Sequence, residues 1–254
     1  MSNIEAKYLV NELFVSAQGE GFTLGVPSLF IRFFGCNLRC SFCDTPYALS
    51  QTGLLSSFKK AEKKEFMLMD LVKSVKGFLD SYPNVENIVL TGGEPTLQNV
   101  HFLIEEILRI KKVTFEIETN GVLYDSAESI ATYVKEKTGQ TITFNVSFKT
   151  PISSGNKRYV NPVLVESWIA LNRKKTAKVI FKFVDDPMNR EELLEILNYN
   201  ELKTYKKNIV IMPLGYTRDS IFKNGIMTWD FCIENGYRFS PREHVVLFNT
   251  KRGV

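Results

Sequence analysis

The amino-acid sequence predicts an α/β protein with a parallel sheet, in the form of a partial (βα)6 TIM-like barrel. Apolar runs of strand length alternate six times with helix-periodic segments along the 254 residues, which is typical of right-handed βαβ units. Polar or glycine-rich residues follow these runs, as expected where the carboxyl ends of parallel strands form one rim. Because six units are too few for an eight-stranded barrel, we expect the barrel to stay open.

The individual elements follow from the period and length of the apolar segments. The segment 69–81, for example, places Leu71, Val75 and Leu79 on one side of a helix. Predicted strands cover residues 28–34, 87–90, 113–118, 141–146, 177–184 and 208–212, with a last short strand at 245–248. Predicted helices cover residues 69–81, 97–109, 126–137, 163–174 and 190–199, and a final helix contains 228–235.

Composition and charge predict one globular domain over residues 1–254. The chain is 44% hydrophobic and 24% charged, with a net charge of +4, and its basic clusters are typical of solvated helix faces and loops. No basic stripe with interleaved aromatic residues indicates nucleic-acid binding. No run of about 18 apolar residues is present to span a bilayer, and no secretory signal opens the sequence. We therefore expect a reduced, cytoplasmic protein that binds neither nucleic acid nor membrane.

Three cysteines follow the first predicted strand with the spacing C-x3-C-x2-C, at Cys36, Cys40 and Cys43. Three thiolates can bind three irons of a cubane [4Fe–4S] cluster, which normally takes four cysteines, so the fourth iron would remain open. A structural zinc site uses four ligands, and the remaining cysteine, Cys232, is distant in sequence. Buried thiols and part of a zinc knuckle are the alternatives, whereas a chain of this length needs no disulfide framework.

The second predicted strand is followed by Thr91-Gly92-Gly93-Glu94-Pro95. Two adjacent glycines allow the backbone to approach a ligand closely, and the carboxylate of Glu94 can bind an ammonium group. An ordinary tight turn is the alternative.

The third and fourth predicted strands also end in polar residues, Glu118 and Asn120 after the third, Ser147 and Lys149 after the fourth. Their carboxylate and amide groups suit hydroxyl and amine partners. A strand end with an Asn-Gly turn is the alternative for the first pair.

The cysteine spacing resembles that of the radical S-adenosylmethionine (SAM) enzymes. This resemblance implies a radical SAM fold, in which SAM binds the open iron of the cluster and the reduced cluster cleaves SAM to start radical chemistry. By the same resemblance, SAM contacts fall on Gly92, Gly93, Glu94, Glu118, Asn120, Ser147 and Lys149.

A wider set of residues resembles one branch of this superfamily, the 7-carboxy-7-deazaguanine synthase family. It comprises Glu12-Leu13-Phe14, Gln18-Gly19-Glu20-Gly21, Gly25-Val26-Pro27, Phe30-Ile31-Arg32, Cys43-Asp44-Thr45, His244 and the segment 251–254. The match is densest at residues 12–47, 91–95 and 237–254. It is weaker at Ser147-Phe148-Lys149, where the family often has Ser-Pro-Lys, and the insertion at 49–64 has no assigned role.

The family resemblance implies a carbon–nitrogen lyase. Its substrate is 6-carboxy-5,6,7,8-tetrahydropterin, and its product is 7-carboxy-7-deazaguanine, a queuosine precursor, formed with loss of ammonia. The resemblance also implies Mg²⁺ bound at Thr45, a flavodoxin or ferredoxin as reductant, and a homodimer. Helix capping by Thr45 is the alternative for that residue.

The same resemblance implies the substrate contacts. Gln18 and Glu20 suit the amide and amine edge of the pterin, and the guanidinium of Arg32 suits the substrate carboxylate. An outward-facing strand residue and a surface histidine are the alternatives for Arg32 and His244. The full set of implied contacts is Gln18, Gly19, Glu20, Arg32, Thr91, His244 and the terminal carboxylate of Val254.

Two other functional classes share part of this pattern. A glycyl-radical-enzyme activase would have the same cysteine loop and SAM site, but not Gln18–Gly21 together with Cys43-Asp44-Thr45. A non-enzymatic iron–sulfur or zinc module would explain neither Thr91–Pro95 nor Glu118–Gly121.

Overall fold

The computed structural model describes residues 5–49, 63–151 and 160–254, with nine strands and eight α-helices. The strands are β1 (Lys7–Ala17), β2 (Pro27–Phe33), β3 (Lys64–Met67), β4 (Asn87–Gly92), β5 (Thr114–Thr119), β6 (Thr143–Val146), β7 (Lys178–Asp185), β8 (Ile209–Pro213) and β9 (Arg238–Phe239). The helices are α1 (Leu68–Ser81), α2 (Val100–Ile110), α3 (Tyr124–Thr138), α4 (Pro162–Arg173), α5 (Glu191–Leu197), α6 (Asn200–Thr204), α7 (Arg218–Asn235) and α8 (Glu243–Phe248).

The nine strands form one sheet in the order β3-β1-β2-β4-β5-β6-β7-β8-β9. The strands β2, β4, β5, β6, β7 and β8 run parallel, and β9 continues this direction at one end. At the other end, β1 pairs antiparallel with both β2 and β3. The predicted parallel sheet of six strands and the open, partial barrel are therefore confirmed.

The two faces of the sheet differ in polarity because successive side chains of a strand point to opposite faces. In β2, Leu29, Ile31 and Phe33 join the main hydrophobic core with the helices. The opposite, inner face carries buried polar residues on five neighbouring strands: Ser28, Asn87, Glu116, Asn145 and Lys182. The first four of these groups form a hydrogen-bonded chain, with Asn87 Nδ2 2.9 Å from Ser28 Oγ and 2.8 Å from Glu116 Oε1, and Asn145 Nδ2 2.8 Å from Glu116 Oε2. The inner face therefore combines these buried polar groups with a second, smaller apolar cluster of Ile180, Val210 and Met212, against which Phe22 and Val184 pack.

The helices cover the outer face as their apolar period predicts. Helix α1 buries Leu68, Leu71, Val72, Val75 and Leu79. Helix α2 begins at Val100, three residues later than predicted, because Pro95–Leu97 forms a 3-10 turn. No helix in the described parts of the chain combines the length and apolar character needed to cross a membrane.

Three features differ from the sequence-based prediction. The segment 245–248, predicted as a strand, lies in helix α8, where Arg218 at the start of α7 donates to the carbonyls of Val246 and Leu247. Its β-branched residues favour a strand only weakly, and the tertiary contacts outweigh that preference. Strands β1, β3 and β9 were not predicted, since they precede, interrupt or follow the βα alternation. The insertion at 49–64 lies mostly outside the described residues, and only its last residue belongs to β3.

Candidate active site

The three cysteines lie half-buried on the loop that follows β2. The amide of Leu38 donates to Cys36 Sγ at 3.4 Å, and the amide of Cys43 donates to the Cys40 carbonyl at 3.3 Å. Burial raises the pKa of Cys36 to about 11 and also raises the pKa values of Cys40 and Cys43. Binding iron as thiolates would therefore release a proton from each sulfur.

The Gly92-Gly93 turn packs directly against the start of this loop. A Cβ atom on Gly93 would lie 1.9 Å from the Gly35 carbonyl oxygen, and one on Gly92 would lie 2.3 Å from the Phe33 carbonyl oxygen. The Glu94 amide donates to the same Gly35 carbonyl at 2.8 Å. The two glycines are thus required for close backbone approach between the cysteine loop and the end of β4, which an ordinary turn would not need.

Glu94 is almost completely buried below the cysteine loop. Its Oε1 accepts from Thr96 Oγ1 at 2.6 Å and Thr119 Oγ1 at 2.8 Å, and its Oε2 accepts from the Asn120 amide at 2.8 Å. Burial raises the pKa of Glu94, and these hydrogen bonds offset only part of that effect. A carboxylate oxygen has two acceptor positions, so Oε2 retains capacity for an ammonium donor.

Asn120 connects the end of β5 to the cysteine loop. Its Nδ2 donates to Asn37 Oδ1 at 2.7 Å and lies 3.8 Å from Cys36 Sγ. Its Oδ1 accepts from the amide of Val122 at 3.1 Å, which fixes the amide orientation. The structure therefore brings Gly92, Gly93, Glu94 and Asn120 together around the cysteines, as the sequence predicts.

Ser147 and Lys149 lie side by side on the rim, where Lys149 Nζ donates to Ser147 Oγ at 2.9 Å. Lys149 is close enough to Cys40 for its charge to lower the pKa of that thiol, against the larger effect of burial. Between them, Phe148 is buried and stacks on Phe181 with ring centroids 5.7 Å apart. The phenylalanine that departs from the family pattern is therefore a core residue, and the two polar neighbours keep their rim positions.

Glu20 lies on the inner side of the sheet, between three basic side chains. Its carboxylate is 3.0 Å from Lys182 Nζ, 2.9 Å from Arg242 Nε and 3.8 Å from His244 Nε2. Burial alone would raise the pKa of Glu20, but the charges of Lys182 and Arg242 outweigh it and hold the pKa well below its ordinary value. Glu20 is therefore an ionised hydrogen-bond acceptor at neutral pH.

Lys182 is a site residue that the sequence analysis did not identify. It lies on the inner face of β7, is 3% exposed, and contacts Glu118 Oε2 at 2.8 Å as well as Glu20. Burial lowers the pKa of Lys182, but the two carboxylates more than compensate and raise it. Burial also raises the pKa of Glu118, and Lys182 offsets this only in part. A lysine at the centre of the apolar run 178–184 was the available signal.

Arg242 is the second residue that the sequence analysis did not identify, and it connects Glu20 to the cysteine loop. Besides Glu20, it contacts Asp44 Oδ2 at 2.6 Å and the Gly215 carbonyl at 2.6 Å. Asp44 lies between Cys43 and Thr45. No period or spacing in the sequence indicates this role, because its partners lie in loops far along the chain.

Gln18, Gly19 and His244 lie around Glu20 and Glu118. Gln18 is buried and its Nε2 lies 3.4 Å from Glu118 Oε1. A Cβ atom on Gly19 would lie 2.4 Å from His244 Nδ1, so the glycine allows the imidazole to pack against the backbone. Burial lowers the pKa of His244 despite the nearby Glu20, which favours a neutral imidazole.

Thr45 and Thr91 lie where the cysteine loop meets the end of β4. Thr45 Oγ1 donates to the Gly92 carbonyl at 3.3 Å and is 3.9 Å from Cys43 Sγ. It precedes the 3-10 turn Pro46–Ala48, but its side chain makes no capping hydrogen bond. Thr91 is half-buried on β4, in register with Arg32 of β2.

Arg32 is held at the sheet end by charged and aromatic neighbours. Its Nε lies 2.9 Å from Glu12 Oε2, and its guanidinium lies 5.8 Å from the Tyr47 ring. Arg252 contacts the other oxygen of Glu12 at 2.6 Å and stacks over Tyr47 at 3.6 Å. Arg252 is thereby held beside Arg32 through the shared carboxylate of Glu12 and the ring of Tyr47.

The donor chemistry of this site fits an iron–sulfur cluster and SAM. Among the described residues, no three His, Cys, Asp or Glu side chains are arranged to hold a single metal ion. Each thiolate of a cluster binds a different iron, so three cysteines of one loop need not converge on a common point. A side chain at position 93 would push the start of the cysteine loop away from Glu94, because its Cβ would collide with the backbone of Gly35 and lie 3.2 Å from the Cys36 nitrogen.

Comparisons with known proteins agree with this site. A family model described as the radical SAM superfamily matches residues 30–213. A 7-carboxy-7-deazaguanine synthase of Clostridium acetobutylicum is 30% identical over 82% of this chain and 81% of its own length. A protein of the same name from Halobacterium salinarum is 29% identical over 94% of this chain and 90% of its own.

Among solved structures, QueE from Escherichia coli has a TM-score of 0.63 and covers 94% of this chain and 95% of its own, at 21% identity. This likeness shows a shared fold. The family model covers most of the chain and shows the superfamily. The Clostridium relative shows the family within that superfamily. The chain therefore belongs to the radical SAM superfamily and, within it, to the 7-carboxy-7-deazaguanine synthase family.

Proposed function

We propose that this protein converts 6-carboxy-5,6,7,8-tetrahydropterin to 7-carboxy-7-deazaguanine with loss of ammonia. The observation that carries the proposal is the cavity group Glu20, Lys182 and Glu118, which Arg242 joins to Asp44 in the cysteine loop. A substrate bound against the carboxylates would lie next to the residues that suit a cluster and SAM. The family relatives carry the name of this activity.

Cys36, Cys40 and Cys43 would hold the [4Fe–4S] cluster. When bound, the cluster and SAM supply the radical that removes a hydrogen atom from the substrate. The protein would bind and orient SAM, with Glu94 Oε2 available to the methionine amine. Further contacts to SAM would come from Glu118, Asn120, Ser147 and Lys149. Gly92 and Gly93 support this role because their lack of side chains keeps the cysteine loop close to Glu94.

The pterin substrate would be bound by side chains whose protonation states are set by their neighbours. Ionised Glu20 can accept two N–H bonds from the guanidine-like edge of a pterin, as carboxylates accept from paired donors. Gln18 and neutral His244 supply further hydrogen bonds from the same wall. Arg32, which shares Glu12 with Arg252, would bind the substrate carboxylate together with the hydroxyl of Thr91. The carboxylate of Val254 would instead accept a hydrogen bond from an N–H group of the substrate.

Mg²⁺ would bind beside the cluster at Thr45. This ion prefers hard oxygen ligands and retains several waters, so a single hydroxyl plus substrate oxygens can suffice. The side chain of Thr45 makes no capping bond to the turn that follows, which leaves its hydroxyl for such a role.

Further parts of the proposal rest on the family resemblance. We propose that residues 1–254 act as a single radical SAM domain, that the protein is a cytoplasmic homodimer, and that a flavodoxin or ferredoxin reduces its cluster. The product would be a deazapurine precursor of queuosine.

An anaerobic turnover assay tests the proposal. The reconstituted protein would receive dithionite, SAM, Mg²⁺ and 6-carboxytetrahydropterin, and products would be followed by mass spectrometry. A product with the mass of the substrate minus ammonia supports the synthase. Slow release of 5′-deoxyadenosine with the pterin untouched would contradict it and favour the activase alternative. Serine variants of Cys36, Cys40 or Cys43 serve as controls, since each should lose the cluster absorbance.

A further inference from the structure

Residues 18–26 form a glycine-rich loop between β1 and β2, which carries three of the proposed substrate contacts, Gln18, Gly19 and Glu20. Two backbone bonds join the ends of this loop. The Gln18 amide donates to the Val26 carbonyl at 2.9 Å, and the Gly25 amide donates to the Gln18 carbonyl at 2.8 Å. Three residues of the loop are glycines, and glycine loses more conformational freedom on folding than any other residue. The loop therefore needs contacts with the rest of the protein to hold its side chains in one place.

The C-terminal part of the chain supplies some of these contacts. The Gly21 amide donates to Ser240 Oγ at 2.8 Å, and the Gly19 carbonyl accepts from the Glu243 amide at 2.9 Å. Both bonds hold the backbone of the loop from the side of β9 and α8.

A side-chain hydrogen bond ties the loop to the inner face of the sheet. Thr23 Oγ1 donates to Glu116 Oε2 of β5 at 2.9 Å. The 3-10 turn Gly21–Thr23 connects this threonine to Glu20, which directly precedes the turn. Three residues of a 3-10 turn span roughly 6 Å. A shift of Thr23 would therefore be transmitted to the carboxylate of Glu20.

The carboxylate of Glu116 is itself held in position by amides. Glu116 is 3% exposed. Its Oε1 accepts from Asn87 Nδ2 of β4 at 2.8 Å, and its Oε2 accepts from Asn145 Nδ2 of β6 at 2.8 Å. Asn87 is oriented in turn, because its Oδ1 accepts from Thr114 Oγ1 at 2.7 Å. The acceptor for Thr23 is thus fixed by three neighbouring strands.

This arrangement requires a carboxylate at position 116. Glu116 accepts from three described donors, and each of them is an uncharged amide or hydroxyl. An ionised carboxylate only accepts, whereas a glutamine would turn its own N–H groups towards one of these donors. Burying a carboxylate on neutral donors costs more than burying an apolar side chain, and the same face of the sheet buries Ile180 and Val210 nearby. The packing of the sheet therefore gives no reason for this carboxylate, whereas the bond to the loop does.

We propose that Glu116 is a positioning residue for the substrate. Through Thr23 it holds the 18–26 loop so that Gln18 and Glu20 meet the guanidine-like edge of the pterin. Ordering a loop on binding weakens affinity, so a loop that is held in advance binds its ligand more tightly. The identity of the substrate rests on the proposed function, but the hold on the loop can be measured without substrate.

Glu116 also reaches the site by a second route. Asn145 Nδ2, which donates to Glu116, lies 3.0 Å from Glu118 Oε1. Gln18 Nε2 lies 3.4 Å from the same oxygen of Glu118. A change at Glu116 would act through both Thr23 and Asn145, whereas a change at Thr23 acts through the loop. Variants of Thr23 therefore isolate the proposed role.

Hydrogen exchange and steady-state kinetics of the full-length, cluster-loaded protein provide the first test. Thr23→Val keeps the shape of the side chain but removes the hydroxyl, whereas Thr23→Ser retains it. We expect Thr23→Val to exchange faster in peptides that cover residues 18–26. Because the lost bond is to a charged group, KM for the pterin should rise about tenfold. The value of kcat should change by less than about threefold, since the loop would hold ground state and transition state alike.

Two variants serve as controls for this test. Thr23→Ser should behave as the wild type. Thr138→Val removes a half-buried hydroxyl on α3 that donates to the Val134 carbonyl at 2.7 Å, and it should leave both the exchange of residues 18–26 and KM unchanged. Unchanged exchange and KM in Thr23→Val, or an equal defect in Thr23→Ser, would overturn the proposal. A wild type that does not turn over the pterin would sink the proposed function, while the exchange measurement would still decide whether Thr23 holds the loop.

A double-mutant cycle tests whether Glu116 acts through Thr23. Glu116→Gln keeps the size of the side chain but leaves one acceptor oxygen in place of two. If both residues act through one bond, adding Thr23→Val to Glu116→Gln should not further speed the exchange of residues 18–26. Additive effects would refute the route through Thr23. Should Glu116→Gln fail to fold, the comparison of Thr23→Val with Thr23→Ser decides alone.

Discussion

The substitution Lys182→Met removes the ammonium group that contacts both Glu20 and Glu118 in the inner cavity. Methionine keeps most of the volume of the side chain, so the loss is mainly electrostatic. Removing one partner of a buried ion pair costs about 3–5 kcal/mol. Glu20 retains Arg242, and Glu118 can take up a proton, so the lower end of this range, about 3 kcal/mol, applies.

This loss is expected to lower the midpoint of thermal unfolding by about 6–12 °C, at about 2–4 °C per kcal/mol for a chain of this size. Without Lys182, the pKa of Glu118, which burial already raises, rises further. A raised carboxyl pKa favours the folded state at low pH, and this contribution is lost as pH rises through that pKa. The difference in stability between wild type and variant should therefore shrink as pH falls from 8 towards 4.5, the ordinary pKa of a glutamate side chain.

Thermal melts across this pH range measure the change in stability, and steady-state kinetics across the same range measure the change in activity. We expect kcat/KM for the pterin to fall by about 100-fold or more, corresponding to about 2.7 kcal/mol of transition-state binding. Lys178→Met is the matched control, because Lys178 lies on the same strand but is exposed. Lys182→Arg keeps the charge and should recover part of the stability. Equal melting of Lys182→Met and wild type, with no pH dependence of the difference, would refute the ion-pair reasoning.

Three further predictions concern the cysteine loop and its neighbours. Gly93→Ala should prevent cluster loading, because its Cβ would lie 1.9 Å from the Gly35 carbonyl, whereas Gly77→Ala on α1 meets nothing within 4 Å and should load normally by absorbance. Thr45→Ala should keep the cluster but weaken the Mg²⁺ dependence of turnover, and unchanged Mg²⁺ titration would contradict that role. Arg242→Met should destabilise the fold fully above about pH 4.5, the ordinary pKa of Glu20, and the gap should close in stronger acid as Glu20 is protonated, which an acid-unfolding titration measures.

The sequence predicts the part of the site that lies in continuous segments at the ends of neighbouring strands. The cysteines, Gly92 to Glu94 and Asn120 come together because parallel strands end at one rim. Lys182 was missed because its importance depends on which face of β7 it occupies and on a partner 64 residues away. Arg242 lies 222 residues from Glu20, and no local pattern encodes that distance.

The same limits apply to the fold. The buried parallel strands are apolar on both faces or carry a single polar residue. Such continuous apolar runs make the positions of these strands evident from the sequence. Strand β1 alternates only partly, with most of its residues half-buried, and it lies outside the βα order. The segment 245–248 has the composition of a strand but no strand beside it to pair with, since its place is beside α7.

The joining of Glu20 to Arg242 has a consequence for the timing of biosynthesis. The two residues are 222 positions apart, and a ribosome adds about 5–20 residues per second, so the arginine follows the glutamate by roughly 10–45 s. The Gly19 carbonyl likewise accepts from the amide of Glu243, and Glu12 pairs with Arg252, so both contacts form only after these later residues are synthesised. The sheet from β1 to β7 is translated long before these partners emerge. The cysteines are therefore synthesised early, whereas the contacts of Glu20, Gly19 and Glu12 with Arg242, Glu243 and Arg252 form only late in synthesis.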